Sequence, residues 1–314
     1  MTNPEYSSTD LPSWDNPMFL SALLVLLQAA ASSVEECMQL VILFAAHCDD
    51  ESLGAGGTAH QLQSQRGTAL FIVVVAADKP IRREESKAAA AKLGILEERL
   101  FLLNFPDGQL PKHAADIRTV MCHFERELNA DIVMTHKRDI HFDHNLLHDL
   151  VEEVFTQASI INFRIPQVMT SPWNPDTFFR VADDAGVFKT EELLPVYRSE
   201  GVKHYFHTQK TLGIMEDAGD ISGCRYAEPF QAVRLIVGPC PFGSGSIVLA
   251  RNRARRGAPR GAAEHTVPLP LRVSRLVLEP CRCGCGRVAV ARNAAKVKTQ
   301  ELASEHKELA HVAH

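Results

Sequence analysis

A continuous apolar run that stops at a polar segment most constrains what this chain can fold into. Residues 40–46 are all apolar, and the polar segment 47–51 follows them directly. An uninterrupted apolar run of this length is typical of a strand buried on both faces of a parallel sheet. Residues 70–75 repeat the pattern, and residues 58–66 between the two runs favour a helix. This order predicts a β-α-β unit.

The same alternation continues along the chain towards residue 155. The expected elements are helices over 84–93, 116–128 and 144–155, and short strands over 99–104 and 131–135. We therefore predict an α/β fold with a Rossmann-like, doubly wound, mostly parallel sheet and helices on both faces. Such sheets bind ligands beyond the carboxyl ends of their strands. Two polar segments, 47–51 and 139–144, follow predicted strands at that end.

Composition divides the chain into three segments. Residues 1–39 form an N-terminal extension whose apolar stretch, 18–31, is shorter than the ~20 residues of a bilayer span and lacks a basic start. We expect a buried or docking helix there, with a peripheral anchor as the alternative. Residues 40–250 form the predicted main domain. Residues 251–314 form a basic, Cys-containing C-terminal extension, which we expect to be flexible. Its run 251–263 is alternatively a patch for nucleic acid or an acidic partner.

Charge and cysteine usage limit the classes of partner. The net charge is -5 and the isoelectric point is near 6.3, so the chain as a whole has no general attraction to phosphate backbones. We expect a small-molecule substrate and no nucleic acid, and membrane association is disfavoured. Most cysteines are scattered, without the dense spacing of a secreted disulfide scaffold, which favours a reducing, cytoplasmic location. The sequence is compatible with a homo-oligomer.

The first polar segment offers two metal ligands and a base. His47 and Asp50 lie three residues apart, a spacing that lets a short turn direct both side chains at one point. Zn²⁺ accepts imidazole nitrogen and carboxylate oxygen, and a catalytic zinc site usually has three protein ligands. Asp49 lies between the two candidate ligands and is the candidate general base that takes a proton from water.

The second polar segment supplies the third ligand. We prefer His144, because His141 and Asp143 are the neighbours best placed for acid chemistry and for supporting it. One zinc ion per chain is therefore predicted on His47, Asp50 and His144. His141 would stabilise the developing oxyanion or protonate the leaving amine, and we expect an imidazolium that Asp143 supports.

These segments together resemble the signatures of the PIG-L/LmbE-like deacetylases. Residues 47–54 (HCDDESLG) with 56–58 (GGT) resemble the first signature of that family, and residues 139–144 (DIHFDH) resemble the second. The resemblance covers approximately residues 40–236. Weaker similarities lie at residues 82–85 (RREE) leading to 93–94 (LG), 106–110 (PDGQL) and 226–230 (YAEPF).

The resemblance implies a zinc enzyme that hydrolyses the N-acetyl group of N-acetylglucosamine units, releasing acetate and a free amino sugar. It implies the same metal ligands and base, and adds Arg82 and Asp107 as sugar contacts. It leaves open whether the product leads to an aminoglycoside-like antibiotic, a thiol cofactor or a glycoconjugate. Cys48 stands where the family usually has Pro. We interpret it as a small apolar side chain, with a fourth ligand or an oxidation-sensitive thiol as alternatives.

Two other functions compete with this interpretation. The glycines at 54–57 invite a dinucleotide-binding interpretation, and hence an NAD-dependent oxidoreductase. A Rossmann fingerprint, however, places its first glycine directly at the strand end, and here residues 47–53 intervene. The other alternative is a non-catalytic sugar-binding member of the same fold, for which Cys48 is the one hint.

The C-terminal cysteines form a separate motif. Cys281, Cys283 and Cys285 alternate with single residues, and Cys240 lies upstream. A second zinc ion would be one use of such a group, but structural zinc pairs usually have two to four residues between cysteines. We therefore favour a loosely attached tail over a metal site.

Overall fold

The computed structural model describes residues 7–34, 39–166, 173–242, 244, 246–250, 267–268 and 276–291. The helices are α1 (Phe19–Ser32), α2 (Asp50–Gln63), α3 (Pro80–Leu93), α4 (Ala114–Leu128), α5 (Phe142–Val154), α6 (Asp183–Phe188) and α7 (Thr208–Ser222). The strands are β1 (Gln39–His47), β2 (Thr68–Ala76), β3 (Leu100–Leu102), β4 (Ile132–His136), β5 (Ser159–Phe163), β6 (Thr177–Val181), β7 (Tyr226–Arg234), β8 (Ile236–Pro239), β9 (Ile247–Leu249), β10 (Val267–Pro268), β11 (Leu276–Pro280) and β12 (Val288–Val290). Among the helices of these ranges, none is both long enough and apolar enough to cross a membrane.

Within the described residues the strands form one 12-stranded mixed sheet. Its core is parallel and has the strand order β3-β2-β1-β4-β5, which is the order of a doubly wound Rossmann-type sheet. The predicted α/β fold is confirmed. Beyond β5 the sheet continues through β7, β6, β11, β12, β9, β8 and β10, with mostly antiparallel pairing. This second half was not predicted from the sequence.

The central strand β1 divides the core into two layers. Successive side chains of a strand point to opposite faces of the sheet. Val41, Leu43 and Ala45 therefore pack against α2, α3 and α7 on one face, and Ile42 and Phe44 pack against α1, α4 and α5 on the other. All five side chains are fully buried, which is why the run shows no polar alternation.

The N-terminal apolar stretch folds onto this core. Phe19, Leu23 and Leu27 of α1 are almost fully buried, as a docking helix requires. Upstream of the helix, Trp14 stacks on Phe105 with ring centroids 5.6 Å apart. The stretch thus forms a helix whose buried side chains belong to the same core cluster as α4 and one face of the sheet.

Part of the predicted C-terminal extension also lies in the sheet. β11 pairs with β6 in parallel, with Leu276 opposite Thr177, and β12 pairs with β9. The basic run 251–263 lies outside the described residues. The division at residues 39 and 250 remains a prediction.

The parallel core places the carboxyl ends of β1 and β4 side by side, where the strand order reverses. His47 ends β1 and His136 ends β4. α2 begins at Asp50, earlier than the predicted helix over 58–66, and α5 begins at Phe142. The loops that precede α2 and α5 therefore meet at the crevice where doubly wound sheets bind their ligands.

Candidate metal and catalytic site

The three predicted zinc ligands lie together at this crevice. His47, Asp50 and His144 each offer a donor atom within 4.8 Å of the other two. Asp50 Oδ2 is 3.1 Å from His47 Nδ1 and 3.5 Å from His144 Nε2. Two ligand atoms at about 2.0–2.1 Å from a tetrahedral zinc ion lie roughly 3.4 Å apart. The donor set and its spacing fit one such ion.

Each of the two ligand histidines has its other ring nitrogen on a carboxylate. His144 Nδ1 is 2.8 Å from Asp139 Oδ2, and His47 Nε2 is 3.1 Å from Asp143 Oδ2. A carboxylate holds the proton on the nitrogen that it contacts, and the opposite nitrogen then presents its lone pair. Both free nitrogens face Asp50, which is the arrangement that supports metal-binding histidines.

Asp143 contacts His47 directly, a contact that the sequence analysis did not predict. The Asp143 side chain is fully buried, and its two oxygens accept the backbone N–H groups of Gly108 at 2.8 Å and Leu110 at 3.0 Å. His47, His141 and Asp143 also form a group of donor atoms within 4.8 Å. Both oxygens of Asp143 accept backbone N–H groups, whereas Asp50 accepts the His47 N–H at 2.9 Å through Oδ2, the oxygen that faces both ligand histidines.

The site is strongly negative. Burial lowers the pKa of His47, but hydrogen bonds to Asp107, Asp143 and Asp50 outweigh it and raise that pKa well above its usual range. Burial also lowers the pKa of His144, but Asp50 and Asp139 outweigh it and raise that pKa to about 9. Such a group of carboxylates stabilises a bound cation.

Asp49, the predicted base, is held in an unusual backbone conformation. Its φ is 140°, which residues other than glycine rarely adopt. The Asp49 N–H donates to Glu51 at 3.2 Å, and Asp49 Oδ2 pairs with Arg82 at 3.0 Å. Burial and the charge of Asp50 raise the pKa of Asp49 well above its usual range, and Arg82 opposes them. A carboxylate of raised basicity suits a general base.

The guanidinium of Arg82, which the sequence predicted to contact the sugar, donates its hydrogen bonds to other groups of this protein. Its Nε donates to the Cys48 carbonyl at 3.1 Å, and Nη2 donates to the same oxygen. Nη1 pairs with Glu200 at 2.6 Å, and Nη2 pairs with Asp49. These bonds use four of the five N–H donors of a guanidinium. The contacts of Arg82 therefore fix the position of the base, and its role as a sugar contact remains a prediction.

His141 lies over the ligand histidines as a hydrogen-bond donor. Its Nδ1 accepts the Asp143 N–H at 3.3 Å, so the neutral ring carries its proton on Nε2. The His141 ring centroid is 4.8 Å from that of His47 and 4.6 Å from that of His144. Burial, followed by the charges of His144 and His47, lowers the pKa of His141. This favours a neutral ring, whereas the sequence analysis expected an imidazolium, and the role of His141 remains a prediction.

Asp107, the second predicted sugar contact, lies at the mouth of the site. Its side chain is 31% exposed, with Oδ1 3.2 Å from His47 Nε2 and Oδ2 2.5 Å from Lys79 Nζ. The hydrogen bond to His47, opposed by burial, and the contact with Lys79 lower the pKa of Asp107. Asp107 thus carries a negative charge beside the ligands.

Two residues of the site have no role in the sequence prediction. Asp139 lies within the second motif, and its bond to His144 depends on the turn before α5. His136 is 1% exposed, its Nε2 accepts the Ala46 N–H at 2.9 Å, and its ring stacks on that of His144 with centroids 4.0 Å apart. Burial and the neighbouring His144 lower the pKa of His136 well below its usual range. His136 is therefore neutral, and its ring packs against the proposed zinc ligand His144.

Cys48 packs in the core, as its interpretation as a small apolar side chain predicts. It is 1% exposed, and burial raises the pKa of its thiol to about 12 although a hydrogen bond with Ser86 acts in the opposite direction. It belongs to none of the potential metal-binding groups found among the described residues. The fourth-ligand alternative has no support.

The glycines at 54–57 serve packing within α2. The N–H groups of Gly57 and Thr58 donate to the Glu228 carboxylate at 3.0 and 2.7 Å. A Cβ atom at Gly54 would lie 2.2 Å from the ring of Phe163. The N–H groups and the space that a pyrophosphate would need are therefore occupied, which argues against a dinucleotide here.

A cavity of about 170 Å³ lies beside α2, against Leu53 and the Lys189–Glu228 ion pair. Trp173 and Arg164 form part of its wall, with the guanidinium of Arg164 5.9 Å from the Trp173 ring centroid. The cavity combines an aromatic face with charged groups, and it adjoins the helix that begins at Asp50.

Known proteins share this fold and these segments. Residues 42–155 match the family model PIG-L, described as GlcNAc-PI de-N-acetylase. The N,N'-diacetylchitobiose deacetylase from Pyrococcus horikoshii is 20% identical with a TM-score of 0.51, over 70% of this chain and 94% of that one. A conserved protein from Thermus thermophilus is 21% identical with a TM-score of 0.50, over 62% of this chain and 95% of that one. The resemblance predicted from the two signatures is thereby confirmed over residues 42–155, and the solved structures show that the fold is shared.

Proposed function

We propose that this chain is a cytoplasmic zinc-dependent N-deacetylase that removes the acetyl group from an N-acetylglucosaminyl unit of a small molecule. The observation that carries the proposal is the pairing of His47 and His144 with carboxylates, which turns one nitrogen of each ring towards Asp50. The match to the PIG-L family, whose model is that of a de-N-acetylase, and the shared fold of the chitobiose deacetylase support the choice of reaction.

His47, Asp50 and His144 would hold the zinc ion. Zn²⁺ at such a site supplies Lewis acidity, which polarises an acetamide carbonyl and lowers the pKa of water. The chemistry of the donors fits this metal, since imidazole and carboxylate are ligands that zinc accepts.

The residues around the ligands divide the proton transfers between them. Asp49 takes a proton from the attacking water as the water oxygen bonds to the acetyl carbon. The Nε2–H group of His141 donates to the carbonyl oxygen as negative charge develops there. Asp49 then returns its proton to the sugar nitrogen as the C–N bond breaks, and acetate and the free amino sugar leave. Arg82 holds Asp49 in position.

The remainder of the substrate is proposed to enter the cavity beside α2. Trp173 offers an aromatic face for a sugar ring or an aglycone, and Arg164 and Lys210 offer donors for hydroxyl groups. A cavity of about 170 Å³ accommodates a group of roughly one sugar ring, as a small biosynthetic intermediate would present. An antibiotic, thiol-cofactor or glycoconjugate precursor meets that description.

Acetate release from a panel of N-acetylglucosaminides tests the proposal. The full chain is assayed with added zinc and after treatment with a chelator, with N,N'-diacetylchitobiose in the panel. We expect release that the chelator abolishes and zinc restores. His47→Ala should lose both metal and activity, whereas His204→Ala, which changes an exposed histidine, should lose neither.

The zinc content of the same samples is measured, so that a lack of acetate release can be assigned either to missing metal or to a missing reaction. A chain that binds no metal at His47, Asp50 and His144 would refute the proposal, whatever the panel. Metal bound at these residues without release of acetate from any panel member would refute the deacetylase reaction and leave the sugar-binding alternative. Release that the chelator does not affect would refute the role of the metal.

A further inference from the structure

Four cysteines from distant parts of the chain meet at one point. The sulfur of Cys240 lies 3.8 Å from that of Cys281, 3.5 Å from that of Cys283 and 3.8 Å from that of Cys285. Cys281 and Cys283 are 3.3 Å apart. All four sulfurs lie within 4.8 Å of one another, although 41 residues separate Cys240 from Cys281.

The separations match the edges of a tetrahedron around one ion. Zinc binds thiolates at about 2.3 Å, so the sulfurs of a tetrahedral site lie about 3.8 Å apart. A disulfide would require about 2.05 Å, and the cysteines of this group are free. Four thiolates around one centre leave no position for water, which is the arrangement of a structural site and not of a catalytic one.

Backbone N–H groups point at the sulfurs. The backbone N–H groups of Phe242, Cys283 and Arg287 favour the thiolate forms of Cys240, Cys281 and Cys285, although burial and the neighbouring thiols raise the pKa of Cys285 to about 12. In each pair the donor lies two residues after the cysteine that it contacts. Hydrogen bonds of this kind stabilise a thiolate, the form in which cysteine binds a metal.

Two glycines make the short spacing of this motif workable. Gly284 has φ +71° and Gly286 has φ +78°, so both lie in the left-handed region that glycine adopts without strain. These turns bring Cys281, Cys283 and Cys285 to the same point although single residues separate them. Zinc-binding cysteine pairs usually have two to four residues between them, but the turns at Gly284 and Gly286 let these cysteines converge with only one.

The cysteine group holds one end of the sheet together. Cys240 follows β8, and the other three cysteines lie in the connection between β11 and β12. That connection docks on the amino ends of β1 and β2, where Gln39 accepts the Val288 N–H at 2.7 Å and Thr68 donates to the Gly286 carbonyl. His47 is at the other end of β1, about 26 Å from Gln39 at roughly 3.3 Å per residue.

A buried positive charge accompanies the cysteines. Arg287 is 4% exposed, although arginine is rarely buried without a negative partner. Arg287 lies two residues after Cys285, and a zinc ion with four thiolates would bring two net negative charges to this part of the chain.

We propose that Cys240, Cys281, Cys283 and Cys285 bind one structural Zn²⁺ ion that fastens the β11–β12 connection to the β8–β9 end of the sheet. The site is separate from the proposed catalytic metal, and its existence does not depend on the deacetylase activity.

Metal analysis of full-length variants separates the two sites. The His47→Ala/His144→Ala variant should keep one zinc equivalent after dialysis against a weak chelator. Cys240→Ser/Cys281→Ser should lose that equivalent. The matched control Cys122→Ser/Cys224→Ser changes two cysteines outside the group and should lose none.

Cobalt substitution identifies the ligands. Co²⁺ in the His47→Ala/His144→Ala variant should give the thiolate-to-cobalt charge-transfer absorption that nitrogen and oxygen ligands do not produce. Should Cys240→Ser/Cys281→Ser fail to fold, the single variant Cys283→Ser, which changes an exposed side chain, should weaken cobalt binding and alter this band.

Alkylation of the unmodified chain supplies a readout that needs no variant. Four thiols should resist alkylation with zinc bound and react after a strong chelator removes it. No zinc in the histidine variant and no charge-transfer band would overturn the proposal. Disulfides among the four cysteines, found by mass spectrometry of the freshly purified chain, would overturn it as well.

Discussion

Asp139 and His144 are joined by a 2.8 Å hydrogen bond between Oδ2 and Nδ1, and both side chains are nearly buried. The bond determines which nitrogen of His144 faces Asp50, and therefore which nitrogen is available to a metal. Asp139 also accepts the His141 N–H through its other oxygen at 2.6 Å. One carboxylate thus orients a ligand and shapes the turn that presents it.

Replacing Asp139 with Asn should weaken zinc binding without abolishing it. The amide keeps the shape of the side chain but supports the Nδ1 proton less strongly, and loss of such a partner typically costs about 10–100-fold in metal affinity or activity. Competition with a chromophoric chelator measures the affinity. Asp149→Asn, which changes a half-exposed residue paired with Arg138, is the control and should match the wild type. Equal affinities for both variants would contradict the role of Asp139.

Asp49→Asn should retain zinc and lose most turnover. Asn preserves the volume of the side chain and its contact with Arg82, but it does not accept the proton of the attacking water. General bases contribute about 10²–10⁴-fold, so we expect a fall in kcat of that order. The kcat and the zinc content are measured together, with the exposed Asp116→Asn as control. Normal turnover in Asp49→Asn would show that another group acts as base.

Arg82→Lys distinguishes positioning of the base from contact with the sugar. Lysine keeps the charge but not the fork that holds Asp49 and the Cys48 carbonyl. We expect kcat to fall with little change in KM, and we expect the double variant with Asp49→Asn to be no slower than Asp49→Asn alone. Arg118→Lys, an exposed arginine paired with Glu153, is the control. A raised KM with unchanged kcat would restore the role predicted from the resemblance.

The parallel half of the sheet could be predicted because each of its strands is visible locally. β1 and β2 are nine-residue strands that contain the apolar runs 40–46 and 70–75, with a helix between them. β9 and β12 have three residues each, and β11 pairs with β6 although Leu276 lies far along the chain from its partner Thr177. Short strands with distant partners leave no periodic pattern in the sequence.

The candidate ligands could be predicted because they directly follow strands. Their supporting contacts could not, since these depend on where separate loops meet. Asp143 lies beside His141 in the sequence but supports His47. The lowered pKa of His141 follows from burial and from the neighbouring His144 and His47. The cysteine group likewise depends on a turn that brings Cys285 to Cys240.

The glycines of α2 provide a matched pair of substitutions. A Cβ at Gly54 would lie 2.2 Å from the ring of Phe163, whereas nothing lies within 4 Å of a Cβ at Gly213 in α7. Overpacking of this kind costs roughly 1–3 kcal/mol. Alanine in an open helix position instead stabilises by roughly 0.5–1 kcal/mol relative to glycine.

Gly54→Ala should therefore lower the free energy of unfolding, and Gly213→Ala should leave it unchanged or raise it. The Phe163 ring lies 4.7 Å from that of His136, which stacks on His144, so Gly54→Ala should also weaken zinc binding. Urea unfolding at saturating zinc measures the first effect and chelator competition the second. If Gly54→Ala were as stable as Gly213→Ala, close packing would not be the reason for this glycine. If the unmodified chain also bound NAD(H) in a fluorescence titration, the dinucleotide interpretation would regain support.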